Sequence, residues 1–197
     1  MKESIPMKQT IALLIGSAWA LCAADMTVAT LYDSQLKMAE SEVVSLAEAV
    51  PESAYNFAPT KGAFTKVRSF GEQVKHIAAV NYMAGAAAAK EKPPVDPGSG
   101  ENGPDSVKTK AQIVQFLKDS FAYAHKSMAM LTPENQLEMV PAPFPGMPAM
   151  ARGFIANLTI WHSFDHYGQM AVYARMNGVI PPASAPPPAA PQGKKKE

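Results

Sequence analysis

Cysteine is almost missing from this chain: Cys22 stands near the N-terminus and none follows it. Beyond residue 22 there is therefore no disulfide, no thiolate metal ligand and no cysteine nucleophile. An excess of charge is missing too, since 18 basic residues face 17 acidic ones. Without Lys2, Lys8 and Glu3 the two sets are equal at sixteen each, and three of the remaining lysines, Lys194, Lys195 and Lys196, crowd the C-terminus. A body with no basic excess offers no electrostatic footprint for nucleic acid. No apolar run is long enough for a membrane span: the uncharged apolar run Ile11 to Ala24 falls short of the ~20 residues a helix needs to cross. Sustained period-2 alternation is absent, which argues against strands, and no internal repeat is present.

The composition, 47% hydrophobic and 18% charged over 197 residues, fits one globular domain with a true core. The first 24 residues have a basic start, an apolar middle and small residues at Cys22-Ala23-Ala24 before Asp25. That is the layout of a secretory signal cleaved near Ala24, so a periplasmic or secreted location is expected. A buried N-terminal helix is the alternative reading. The bulky Trp19-Ala20-Leu21 before Cys22 argues against lipid attachment. At the other end, residues 181–197 are rich in Pro and Ala and close on Lys-Lys-Lys-Glu, a tail expected to be disordered. The domain is thus expected to span residues 25–180.

Within it, helical periodicity dominates. Tyr32, Leu36, Ala39, Val43, Leu46 and Val50 recur at spacings of 4, 3, 4, 3 and 4, predicting an amphipathic helix over residues 30–50. Pro51 ends it, and Tyr55-Asn56-Phe57-Ala58-Pro59 reads as a turn that tucks two aromatics onto the bundle. A second helix is expected from Thr65 to Lys90 with Phe70, Val74, Ile77 and Ala78 inward. The Pro- and Gly-dense residues 92–104 form a loop. A third helix is expected from an Asp105 or Ser106 cap to Leu131, with Ile113, Leu117, Phe121, Ala124 and Met128 on its apolar stripe. Thr132-Pro133-Glu134 has the order of a short helix start, and residues 139–149 read as an irregular crossing. The fourth helix is expected over 149–176 with Pro148 in its first turn, stopped by Asn177-Gly178. The fold class is all-α, a four-helix bundle with at least one long crossover.

Chemistry concentrates in Trp161-His162-Ser163-Phe164-Asp165-His166-Tyr167-Gly168-Gln169. Histidines four apart on a helix differ by only ~40° in direction, so both imidazoles can address one point. Gln169 and Tyr173 share that stripe and are candidates to line a pocket, with core packing an equal reading for Tyr173. If His76 of the second helix faces the pair, three neutral imidazoles converge, the ligand set of a catalytic zinc site with one position open. Nickel, iron or manganese accept similar ligands. A zincin needs Glu directly after its first histidine, where Ser163 stands. A carboxylate-bridged di-iron bundle needs Glu three residues before a histidine, where Gln73, Thr159 and Ser163 stand. His125, one step off its helix's apolar stripe, reads as a boundary residue. Asp165, ~100° round the helix from His166, is expected to pair with another helix or solvent. Glu72, one turn before His76, reads as an exposed glutamate or as a partner orienting the ligand.

Val74-Lys75-His76-Ile77-Ala78, together with His162 to Gln169 and the closing Met170 to Pro182, resembles the DinB-like family over residues 27–183, including the Tyr55–Pro59 turn. The resemblance implies an up-down-down-up bundle and a divalent metal, zinc or nickel first and iron or manganese next, on His76, His162 and His166. It also implies frequent homodimers and, in some relatives, metal-dependent hydrolysis or thiol-dependent transfer on a small-molecule substrate. The alternative is a non-catalytic bundle that binds metal or a partner. The family's common Arg or Lys just after the last ligand is Tyr167 here.

Overall fold

The structure, a computed structural model, describes residues 26–186. The expected signal segment and most of the expected tail lie outside these residues. Four helices carry the domain: α1 (Val28–Ala49), α2 (Phe70–Ala89), α3 (Lys110–Ala129) and α4 (Arg152–Met176). A two-residue antiparallel ribbon, β1 (Met139–Val140) with β2 (Met150–Ala151), closes the stretch between α3 and α4. Among the described residues no helix is long and apolar enough to cross a membrane.

Contacts between helices fix their directions. Asn81 Nδ2 donates to Ser120 Oγ at 3.3 Å and Ser127 Oγ to the Gly85 carbonyl at 3.1 Å, so α2 and α3 run parallel. Between α1 and α3, Asp33 meets His125 while Glu48 meets Lys118, which makes that pair antiparallel. Between α2 and α4, Gln73 meets Gln169 and the Ala88 carbonyl meets Arg152, again antiparallel. The order is therefore up-down-down-up. Each of α1 and α2 packs against both α3 and α4. The expected apolar stripes face inward: Leu36, Val43, Leu46, Ile77, Leu117, Phe121 and Met128 are fully buried, each worth about 1.5–3 kcal/mol of transfer free energy.

A parallel α2–α3 pair cannot be joined by a tight turn. The connection from residue 90 to residue 109 must return along the full length of α2, about 30 Å for its twenty residues. This is the long crossover. Flanked by α3, α4 and the returning chain, α2 buries sixteen of those twenty residues. Small side chains permit that enclosure: at Gly85 an added Cβ would lie 2.8 Å from Ser127 Oγ and 2.9 Å from the Tyr123 ring.

The starts of α2 and α3 fall later than periodicity alone suggests, because capping side chains decide them, whereas α1 begins two residues early on a Thr27 cap. Ser69 and Glu72 form a reciprocal capping box, so α2 begins at Phe70 and not at Thr65. Thr109 and Gln112 do the same for α3, displacing the expected Asp105 or Ser106 cap. Thr132-Pro133-Glu134 forms hydrogen-bonded turns, with Asn135 taking the Thr132 N–H, and not a helix. Pro148 stays outside α4. Residues 150–151 pair as β2 instead, and the first amides of α4, from Arg152 and Gly153, are taken by the Glu138 and Gln136 carbonyls at 2.8 Å each. At the C-terminal end, the turn Pro182–Ser184 packs on α1, and Arg175 donates to Ser184 Oγ. Ordered chain thus reaches a few residues into the segment read as tail.

Candidate metal centre

The three histidines come together. His76 from α2 and His162 and His166 from α4 bring their ligating nitrogens within 4.8 Å of one another. His162 Nε2 lies 3.2 Å from His76 Nε2 and 3.1 Å from His166 Nε2. All three rings are buried, at 7–9% exposure. Among the described residues no fourth histidine, cysteine or carboxylate joins the group.

Each outer ring is held by its far nitrogen. His76 Nδ1–H donates to the Glu101 carbonyl at 2.9 Å. His166 Nδ1–H donates to Gln73 Oε1. Both bonds fix the neutral tautomer whose lone pair sits on Nε2, facing the other rings. Gln73 Nε2 then donates to Gln169 Oε1 at 3.0 Å, and Gln169 Nε2 to the Asp165 carboxylate at 3.4 Å. Every donor in this chain points toward Asp165, a consistent polarity that locks both amides.

Electrostatics reinforce neutrality. Burial pushes His162 down to about 3, helped by its two neighbouring imidazoles and by Arg68. His166 falls to about 4, first through burial, then through His76, with Asp165 opposing. Burial lowers His76 as well, against the hydrogen bond it gives to the Glu101 carbonyl. The result is three unprotonated imidazoles with nitrogens closing on one point. Two of these are acceptors there, and His162 Nε2 can donate to only one of them, so at least one of the two contacts has no proton between its nitrogens. His162 Nδ1 is itself buried without a partner. The donor set suits a cation: tetrahedral nitrogens at ~2.0–2.1 Å from zinc stand about 3.3 Å apart, close to the separations found.

A cavity of about 420 Å³ opens against His166, lined among others by Lys66, Arg68, Gln73, Asn102 and Gln169. Arg68 ties its wall, donating from Nε to Asn102 Oδ1 at 2.7 Å and from Nη2 to the Gly100 carbonyl at 2.8 Å.

The other sequence candidates separate clearly. Gln169 lines the cavity, whereas Tyr173 is buried in the core, its ring edge-on to Phe57 at 5.8 Å. His125 is half-buried away from the site, between Asp33 at 2.6 Å and Glu40 at 3.0 Å. Glu72 caps α2 and does not orient His76. Asp165 is exposed to solvent, as its direction suggests, and accepts from Gln169 one turn along its own helix. Ser163 is fully buried and donates to the Thr159 carbonyl of its own helix. Two orienting groups escape a reading of the sequence. Gln73 lies one turn before His76 on the same face, a spacing that carries the signal. The Glu101 carbonyl is backbone and leaves no residue-type signature.

The fold has solved counterparts. A DinB-like protein from Bacillus cereus ATCC 10987 superposes with a TM-score of 0.59 at 14% identity, covering 77% of this chain and 93% of its own. A DinB-like protein from Bacillus subtilis gives a TM-score of 0.58 at 18% identity, covering 75% of this chain and 92% of its own. No curated protein matches the sequence. Residues 35–170 match the sequence pattern of the DinB superfamily, a span that runs from α1 through all three histidines, and the chain belongs to that superfamily.

Proposed function

We propose that this chain is an exported metalloprotein in which His76, His162 and His166 hold one divalent ion through Nε2. The observation that carries the reading is the convergence of three Nε2 atoms, two of them fixed as acceptors by hydrogen bonds at the opposite ring nitrogen. Zinc and nickel suit the set first, and iron or manganese next. When bound, such an ion lowers the pKa of a coordinated water or polarises a substrate oxygen.

The chain's own residues supply the rest. The Glu101 carbonyl and Gln73 hold two imidazoles in place, burial keeps all three unprotonated, and α2 and α4 exclude water from their outer sides. The cavity beside His166 gives a small molecule room to reach the site. An accessible face favours metal-dependent hydrolysis or thiol-dependent transfer over a closed structural ion. In this reading the leader-like residues 1–24 direct the protein out of the cytoplasm, which sequencing of the mature N-terminus from its native host would check. Pairing into a homodimer, which the family resemblance implies, is checked by sedimentation of the purified protein.

Elemental analysis of protein purified without added metal tests the centre. About one equivalent of a divalent transition metal is expected, with most of it lost on replacing any one of the three histidines by Ala. Stoichiometric metal retained in all three variants removes the site.

A further inference from the structure

The wall of the cavity carries charge of one sign. Lys66 and Arg68 line it, and no carboxylate does. The acidic groups felt by the imidazoles, Glu101 at His76 and Asp165 at His166, lie outside that lining. Arg68 is half-buried and immobilised by Asn102 and the Gly100 carbonyl. Those two bonds use Nε–H and one Nη2 hydrogen. A guanidinium has five N–H groups, so three remain, including the pair on Nη1, which has no partner among the described residues. The remaining end of the fork can take both oxygens of one carboxylate or phosphate. Its orientation is already fixed by the loop, so little side-chain entropy is lost on binding.

Position adds to this. The charge of Arg68 is felt by all three imidazoles, placing it within electrostatic reach of the centre. His166 and Arg68 border one cavity of about 420 Å³, at the small-molecule end of ligand pockets. The chain has Tyr167 directly after its last site histidine, so positive charge at this mouth comes from residues 66–68, ahead of α2. We propose that the cavity selects a small oxyanionic ligand, a carboxylate or a phosphate monoester, whose anionic group pairs with Arg68 while its other end faces the histidine centre. This inference rests on the metal-centre reading for what the second end meets, but the Arg68 contact itself does not need the metal.

Calorimetric titration of the zinc-loaded full chain, its zinc content checked by elemental analysis, tests the inference. Succinate, inorganic phosphate and the neutral isostere succinamide are the probes. At least one anion is expected to bind at a single site, with succinamide weaker by about tenfold or more, as for loss of a charge-assisted pair. The tighter of the two anions identifies the ligand as carboxylate or phosphate. Arg68→Gln is expected to lower anion affinity by about tenfold, Arg68→Lys to restore part of it, and Lys66→Gln to give a smaller loss. Equal binding of succinate and succinamide, binding of neither anion, or an Arg68→Gln variant as tight as wild type overturns the proposal. The probe comparison in wild type stands even where Arg68→Gln fails to fold. Should the chain take up no zinc, the metal-centre reading fails by itself, and the same titrations on metal-free protein still decide for or against Arg68.

Discussion

Gln73 illustrates how one buried amide can set the chemistry of a histidine. It is 2% exposed, accepts from His166 Nδ1–H and passes its own N–H to Gln169, which in turn donates to Asp165. Removing the acceptor would free the His166 ring to rotate and would strand a buried N–H, a loss of about 1–3 kcal/mol. Outer partners of ligating histidines are commonly worth about 10–100-fold in metal affinity. Gln73→Leu should therefore weaken zinc binding by about that factor, while Gln73→Glu, which keeps the acceptor, recovers much of it. Competition with a chromophoric chelator measures both. Unchanged affinity in Gln73→Leu would show that His166 needs no support from α2. At this scale the sequence is readable where residue type carries the role: three histidines at the right helical offsets. Gln73 sits in view as the residue that excludes a di-iron site, and its own function is hidden because glutamine has no preferred role at that spacing.

Among elements, the crossover links topology to the site. Because α2 and α3 are parallel, the chain must run back past the first turns of α2, where His76 lies, and it sets the Glu101 carbonyl on that ring. Tight loop geometry makes this contact possible: Glu101 has φ +53°, and Gly103, at φ +71°, would place a Cβ 2.9 Å from the Phe116 ring and 3.1 Å from Lys75. Gly103→Ala is expected to cost about 1–3 kcal/mol through backbone strain and also to weaken metal binding, since the loop must shift off Phe116. Gly85→Ala, whose Cβ meets Ser127 and Tyr123 at the α2–α3 seam, should cost a similar ~1–3 kcal/mol by overpacking with metal affinity unchanged. Urea denaturation together with metal titration of both variants separates the two. Equal effects on affinity would detach the crossover from the site. Helix count, core stripes and the crossover's existence are all legible from period and breaker residues. Helix starts are not, because the boundary rests on which nearby Ser or Thr closes a capping box. The ribbon of β1 and β2 is two residues a side, too short for any alternation to register.

At the scale of the whole molecule, the centre ties α2 to α4 at an energetic cost that depends on pH. Folded His162 and His166 are lowered to about 3 and about 4, below the ~6.5 of an unfolded imidazole. Above pH 6.5 neither state binds a proton there, and stability is at its full value. As pH falls below 6.5 the unfolded chain takes up protons that the folded site refuses. Stability then declines until the folded values are passed, near pH 3. Each tenfold difference in proton affinity between the two states is worth ~1.4 kcal/mol. The loss from these two groups therefore amounts to several kcal/mol, a large fraction of a domain's ~5–15 kcal/mol. A bound metal acts in the opposite sense, since it binds only the folded arrangement: zinc at a hundredfold excess over its Kd adds about 2.7 kcal/mol. Chelator-treated protein should therefore show a urea midpoint that drops steeply between pH 6.5 and 4. Zinc should raise the midpoint at pH 7 and lose that effect as protons displace it. His162→Ala should flatten the acid slope and abolish the zinc response together, because one buried imidazole underlies both. A zinc-induced rise that survives in His162→Ala would place the stabilising ion somewhere other than between these two helices.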